Sequence, residues 1–171
     1  MRTASAVRQG PLVEHPLIRR LSMLKLDPDH FVIFGSGPLL AHGIRSEVGD
    51  LDIVARGAAW ERAERLGEST IGVLNGAPMI HFWGGLIEVS QGWISADWDA
   101  DQLIDEADIV EGLRFAHLEH VLLYKQSLRR DKDIADIIAI QDRLNGWRRR
   151  RTSRRGRLLR PAGHPLSIKR R

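Results

Sequence analysis

Apolar positions fall into short blocks whose spacing changes along the chain. Leu12, Leu17, Ile18, Leu21, Leu24 and Leu26 recur at roughly helical intervals, with Arg19, Arg20 and Lys25 between them, which predicts a helix over 12–26 ended by Asp27-Pro28-Asp29. Phe31 to Phe34 is apolar at every position and reads as a short buried strand, and Gly35-Ser36-Gly37 as the turn after it. Pro38 suits the first turn of a short helix, which Gly43 stops after about His42. Gly49 precedes a strand over 51–54, and Gly57 and Gly67 bracket a helix over 58–66. Asn75-Gly76 is a hairpin signal, followed by strands over 79–83 and 86–90 around the turn Gly84-Gly85. Residues 99–109 read as an acidic helix and 113–115 as a short strand. Two amphipathic helices over 117–129 and 132–144 meet around Arg130-Asp131. This order predicts an α+β fold, or an α/β one, with a mixed sheet and helices packed on it.

Charge divides the chain more sharply than hydropathy does. The formal net charge of +4 averages two unlike parts: all 22 Asp and Glu lie in residues 1–147 with 15 basic residues, leaving that body near −7, while 148–171 carries ten Arg, Lys169 and no acid. The expected organisation is one domain over 1–147 and a basic tail over 148–171 that is disordered on its own. Such a tail attracts RNA or DNA phosphates through counterion release, without aromatic residues for stacking. With 43% hydrophobic residues the chain as a whole can bury a core. The absence of cysteine excludes disulfides and thiolate metal sites. No apolar run approaches the ~20 residues of a membrane span, and the N-terminus lacks the apolar core of a secretory signal. The expectation is a cytoplasmic protein with no membrane association.

Candidate chemistry is concentrated between Phe31 and Val54. Asp50 and Asp52 are two apart on a predicted strand and share a face, beside a turn whose backbone amides could hold phosphate. Gly-Ser-Gly alone is an ordinary turn, and Asp-x-Asp alone is often a solvated strand edge. Joined in one strand-helix-strand unit, they suit a metal-bound nucleotide, since Mg²⁺ favours carboxylates together with substrate phosphates. Such a site wants a third carboxylate. Glu88 supplies a candidate, because it interrupts an apolar strand on the face opposite Ile87 and Val89. A dinucleotide-binding fingerprint fits poorly: its third glycine position is Leu40, and Pro38 intrudes.

The pattern of apolar strand, Gly-Ser, helix and Asp-x-Asp resembles the nucleotidyltransferase superfamily, with its DNA polymerase β-like fold. The run from Leu118 to Ile137, with Lys125, Asp133 and Asp136, is similar to the later segment of its small bacterial AbiEii-like branch, which includes toxin components of toxin–antitoxin pairs. The resemblance covers about residues 30–145. It implies that Gly35 and Ser36 hold nucleotide phosphates, that Asp50 and Asp52 bind metal, and that Glu88 is the third acid, ligating metal and helping to activate the attacking hydroxyl. It implies that Lys125 lies near the triphosphate and that Asp133 is the acid of the later motif, although a structural ion pair between them explains both equally. Apart from the resemblance, Arg45 and His42 lie in the loop facing the aspartates and could contact phosphate, Arg45 being the better candidate.

Other residues admit plainer readings. His117 and His120 are three apart on a helix but lack an evident third ligand, and His81 reads as a packing or surface residue. Trp83, Trp93 and Trp98 could stack a base, with core packing the simpler use. The expected function is therefore Mg²⁺-dependent transfer of a nucleoside monophosphate from a nucleoside triphosphate (ATP among the candidates) to a hydroxyl of tRNA, a protein or a small molecule, with an antitoxin protein as a further partner. The alternative is an inactive module of the same fold that binds nucleic acid or a protein.

Overall fold

The chain is described here by a computed structural model covering residues 10–72, 76–92 and 99–158, with 151–158 as backbone only. Strand β1 (Phe31–Ile33) lies well inside the sheet, which is why it has no polar position. It pairs antiparallel with β2 (Leu51–Ala55) and parallel with β7 (Leu113–Phe115). Beyond β2 come β5 (Ile87–Ser90), parallel to it, then β4 (Pro78–Phe82) and β3 (Glu68–Ile71), both antiparallel. Strand β6 (Asp108–Val110) closes the other edge, giving the order β3-β4-β5-β2-β1-β7-β6 in a seven-stranded mixed sheet. The α+β expectation is met.

Side-chain alternation divides the sheet into two chemically different faces. Leu51, Ile53, Ile80, Phe82, Ile87 and Val89 turn to one face and form the main core with helices α1 (Pro16–Leu24) and α3 (Gly57–Leu66). On the other face Val32, Phe34 and Val54 pack with Leu103 and Ile104 of α4 (Ala100–Asp105) and with Tyr124 of α5 (Leu118–Leu128). A third cluster joins Leu39 of α2 (Gly37–Ala41) to Leu118 and Val121 of α5 and to Ile140 and Leu144 of α6 (Ile134–Leu158). The α5–α6 pair thereby stands beside the part of the second face that apolar packing leaves open.

The structure departs from the sequence reading over 99–109 and at the end of α6. The predicted helix over 99–109 is only α4, and β6 follows it, because Asp108-Ile-Val110 is joined to β7 through Glu111 and Gly112. Both turn residues have positive φ (51° and 80°), the combination a tight two-residue hairpin requires. The hairpin signalled by Asn75-Gly76 does join two strands, β3 and β4, but Asn75 lies outside the described residues. Helix α6 does not stop near Leu144. It continues past the expected domain boundary at Trp147 to Leu158, consistent with the good helix propensity of arginine and with the first proline beyond it being Pro161. The rest of the tail, 159–171, lies outside the described residues. No described helix is long and apolar enough to cross a membrane.

Candidate active site

The turn after β1 and the acids of β2 are built against each other. The Phe34 amide donates to the Asp52 carbonyl at 2.8 Å, so the chain turns at Gly35 directly over Asp52. Gly35 has φ +58°, and a Cβ placed there would run into the Asp52 carboxylate; only glycine satisfies both the conformation and the approach. Parallel pairing sets Asp52 opposite Glu88, and antiparallel pairing sets Glu88 opposite His81. Asp52, Glu88 and His81 therefore form a row across three strands on the second face. Asp50, two residues earlier, is exposed at the mouth of the same row.

These side chains line one wall of a cavity of about 580 Å³. Glu88 Oε1 lies 3.1 Å from His81 Nε2, which is also 3.3 Å from Met79 Sδ. The carboxylates of Asp50 and Asp52 have no hydrogen-bond or ion-pair partner among the described residues. Burial pushes the Asp52 carboxyl up to about 7; repulsion from Asp50 and Glu88 adds to this, and Lys125 and Arg130 oppose it.

The opposite wall comes from the α5–α6 pair and the loop after α2. Lys125, only 3% exposed, places Nζ 2.8 Å from Asp133 Oδ1, 3.0 Å from Asp136 Oδ2 and 3.4 Å from Ser36 Oγ. Arg130 Nε donates to Asp133 Oδ2 at 2.6 Å, and Arg45 Nε to Asp136 Oδ1 at 2.7 Å. Three cations and two buried acids thus make one chain of ion pairs, Arg130–Asp133–Lys125–Asp136–Arg45. Burial raises the Asp133 carboxyl, but hydrogen bonds from Arg130 and Lys125 outweigh it and hold the group below the ordinary carboxylate range. Lys132 lines the same wall without an ion-pair partner among the described residues. Tyr124, edge-on to Phe34 at 5.7 Å, forms part of the floor; burial and the charge of Asp52 push its phenol up to about 12.

Two solved structures are similar to this chain. JHP933 from Helicobacter pylori is 19% identical, with 71% of this chain and 61% of that one covered and a TM-score of 0.43. A candidate nucleotidyltransferase from H. pylori is 18% identical, with 64% and 54% covered and a TM-score of 0.38. The chain thus spans less than two thirds of the length of either. Neither likeness assigns it to the AbiEii-like branch. No protein-family model matches the sequence, and no curated protein does.

All eight residues singled out in the sequence (Gly35, Ser36, Arg45, Asp50, Asp52, Glu88, Lys125 and Asp133) line this one cavity. His81, Tyr124, Arg130, Lys132 and Asp136 join them. His81, expected to be a packing or surface residue, is partly exposed and lines the cavity. Its alternation with Ile80 and Phe82 was a usable signal, since it puts His81 on the face opposite those apolar neighbours. Trp83 is neither core nor cavity: it is 42% exposed at the β4–β5 turn, with the Arg20 guanidinium 5.8 Å from its ring centroid. Trp93 and Trp98 lie outside the described residues. His42 and His117 do not reach the cavity lining; they flank Asp108 at 3.3 and 3.2 Å, and the ring of His120 is 5.8 Å from that of His117.

The acidic wall fits a shared cation better than a closed metal cage. Among the described residues no three His, Cys, Asp or Glu side chains form a group that could hold a metal ion. Mg²⁺ usually takes only one or two carboxylates, with waters and substrate phosphates completing its shell. Two carboxylates without partners among the described residues, one of them with a strongly raised pKa, share the cavity with Arg45, Lys125, Arg130 and Lys132 and provide that donor set.

Proposed function

We propose that the protein is a Mg²⁺-dependent nucleotidyltransferase that moves a nucleoside monophosphate from a nucleoside triphosphate to an acceptor hydroxyl. The observation that carries this reading is the single cavity whose one wall holds Asp50, Asp52 and Glu88 and whose other wall holds Arg45, Lys125, Arg130 and Lys132. Its volume falls in the range of small-molecule and cofactor sites, roughly 300–1,000 Å³.

In the proposed reaction the acceptor oxygen bonds to the α-phosphorus, the bond from that phosphorus to the bridging α–β oxygen breaks, and pyrophosphate leaves. Mg²⁺ held by Asp50 and Asp52 would neutralise charge on the phosphates. Glu88 would accept the hydroxyl proton through Oε2, since His81 already engages Oε1. Ser36 and Lys125 would meet the phosphates from the turn and from α5, while Arg130 and Lys132 would hold the negative charge of the departing pyrophosphate. Asp133 and Asp136 keep Lys125 and Arg130 in place and so act on the phosphates indirectly.

The test is to incubate the protein with Mg²⁺, each labelled triphosphate and total RNA or cell extract, beside the Asp52→Ala variant and an EDTA control. Label should pass to an acceptor with the native chain alone. Equal labelling by both proteins, or labelling by neither, would remove the support for this chemistry.

A further inference from the structure

We infer that the distal half of α6 is a nucleic-acid-binding arm that delivers the end of a phosphodiester chain to the cavity; the binding stands independently, and only the delivery rests on the transferase reading. Helix α6 starts at the cavity, where Asp136 is bonded to Lys125 and Arg45. Ile140 and Leu144 pack its middle against α2 and α5, and the ring of Trp147 meets that of His42 edge-on at 5.4 Å. Beyond Trp147 the same helix runs on to Leu158 with Arg148, Arg149, Arg150, Arg151, Arg154, Arg155 and Arg157 and no acid.

At 100° per residue, positions 150, 151, 154, 155 and 157 fall within roughly 160° of the helix circumference, with no acid among residues 148–158. Like charges three and four apart also destabilise a helix on its own, and a polyanion relieves that repulsion. The body, near −7, repels nucleic acid elsewhere, which confines binding to the arm and the cavity's cationic wall. A phosphodiester chain fits better than an acidic protein segment because both ends of the path carry the same recognition chemistry. Arginines line the distal helix, and Arg45, Lys125, Arg130 and Lys132 line the cavity at its start.

The helix sets the reach. At 1.5 Å per residue, Arg148 lies roughly 18 Å and Arg157 roughly 31 Å along the axis from Asp136. With one base pair for about every 3.4 Å, an acceptor gains from the arm only when it extends at least about five base pairs from the cavity.

The test uses the full-length protein and fluorescent RNA and DNA single strands of about 20 nucleotides, RNA of about 3 nucleotides, and polyglutamate of about 20 residues as a polyanion without phosphate; the number of phosphates contacted sets the expected salt response of the nucleic acids. The comparison variant combines Arg151→Gln, Arg154→Gln, Arg155→Gln and Arg157→Gln. It leaves Arg148 and Arg149, which have interactions of their own, untouched. Four phosphate contacts on a single strand alone predict that affinity for the long strands falls roughly 50-fold between about 50 and 200 mM salt. The variant should bind them at least about tenfold more weakly, with a salt slope flatter by about 3, and bind the short RNA as the native chain does. Unchanged affinity and slope in the variant, or tighter binding of polyglutamate than of RNA and DNA, overturn the arm. The long RNA and DNA probes decide which nucleic acid is favoured. In the labelling assay, a native chain that binds the long strand but labels nothing removes the transferase reading and leaves the arm. Equal labelling of the long strand by native and variant chains removes the delivery role and leaves the chemistry.

Discussion

Replacing Asp52 with asparagine should stabilise the metal-free protein, by an amount that grows with pH. In the folded chain the Asp52 carboxyl lies near 7 instead of 3.8, first because it is desolvated and then because Asp50 and Glu88 repel its charge. At about 1.4 kcal/mol for each pH unit between the two values, the difference is worth roughly 4 kcal/mol. The sign follows from linkage: the folded state holds this proton more tightly than the unfolded state, so stability from the protonated form is complete below about pH 4 and is lost as pH rises through 7. Asparagine carries no such titration and keeps the shape. Urea unfolding at intervals from pH 4.5 to 8.5, with EDTA present, would measure the difference between the two proteins and cancel the titration of groups they share. The native chain should lose about 3 kcal/mol relative to the variant over that range, a large share of a typical 5–15 kcal/mol. Addition of Mg²⁺ at the alkaline end should return part of the loss to the native chain only, because an ion bound by the folded state alone stabilises it. Parallel stability curves for the two proteins would refute the assignment of unrelieved charge to Asp52.

Gly35→Ala should cost at least about 1–2 kcal/mol in urea unfolding from its left-handed backbone alone, and should abolish label transfer by displacing the Asp52 carboxylate. Lys125→Met leaves Asp133 and Asp136 buried with one partner each; a loss of about 3–5 kcal/mol is expected in thermal or urea unfolding. Because Lys125 helps hold the Asp133 carboxyl low, its contribution is present above about pH 4 and disappears as pH falls, so the variant should also unfold at less acidic pH. His81→Phe should lower kcat for transfer with little change in KM for the triphosphate. His81→Gln, which can still present a donor near Glu88, should recover much of the rate; equal kcat in all three proteins would remove His81 from the site.

The parts of this molecule that can be read from sequence are those set by local alternation and turn chemistry. Phe31-Val-Ile-Phe34, the Gly35 turn and the Asp-x-Asp strand are local, and their placement follows from period and glycine position alone. Whether Glu88 would meet Asp52 was not local: it depends on β5 lying parallel to β2 in one particular register, which no short window of sequence contains. The place of His81 beside Glu88 is equally non-local, since it follows from the antiparallel register of a neighbouring strand. Strand β6 was hidden because acidic residues through Asp108 continued a helical pattern until Glu111-Gly112 turned the chain. Arg130 and Asp136 lay in plain view, yet their role emerges only when α5 and α6 fold back and thread them into one run of ion pairs.

The pairing of Asp52 with Glu88 also makes the cavity a report on how the chain folded. The two strands are 36 residues apart and run the same way, so they meet only after β3 and β4 have been laid down between them in sequence. A slip of one residue in β5 would turn Glu88 toward α1 and α3 and bring Ile87 and Val89 into the cavity, leaving the local helices and the β1–β2 pair intact. Chains trapped in that arrangement would keep a near-native circular dichroism spectrum and lack a third acid. Long-range parallel pairing of this kind is slow to form. The acidic wall is therefore expected to assemble late, and the proposed label transfer should return after helix on refolding.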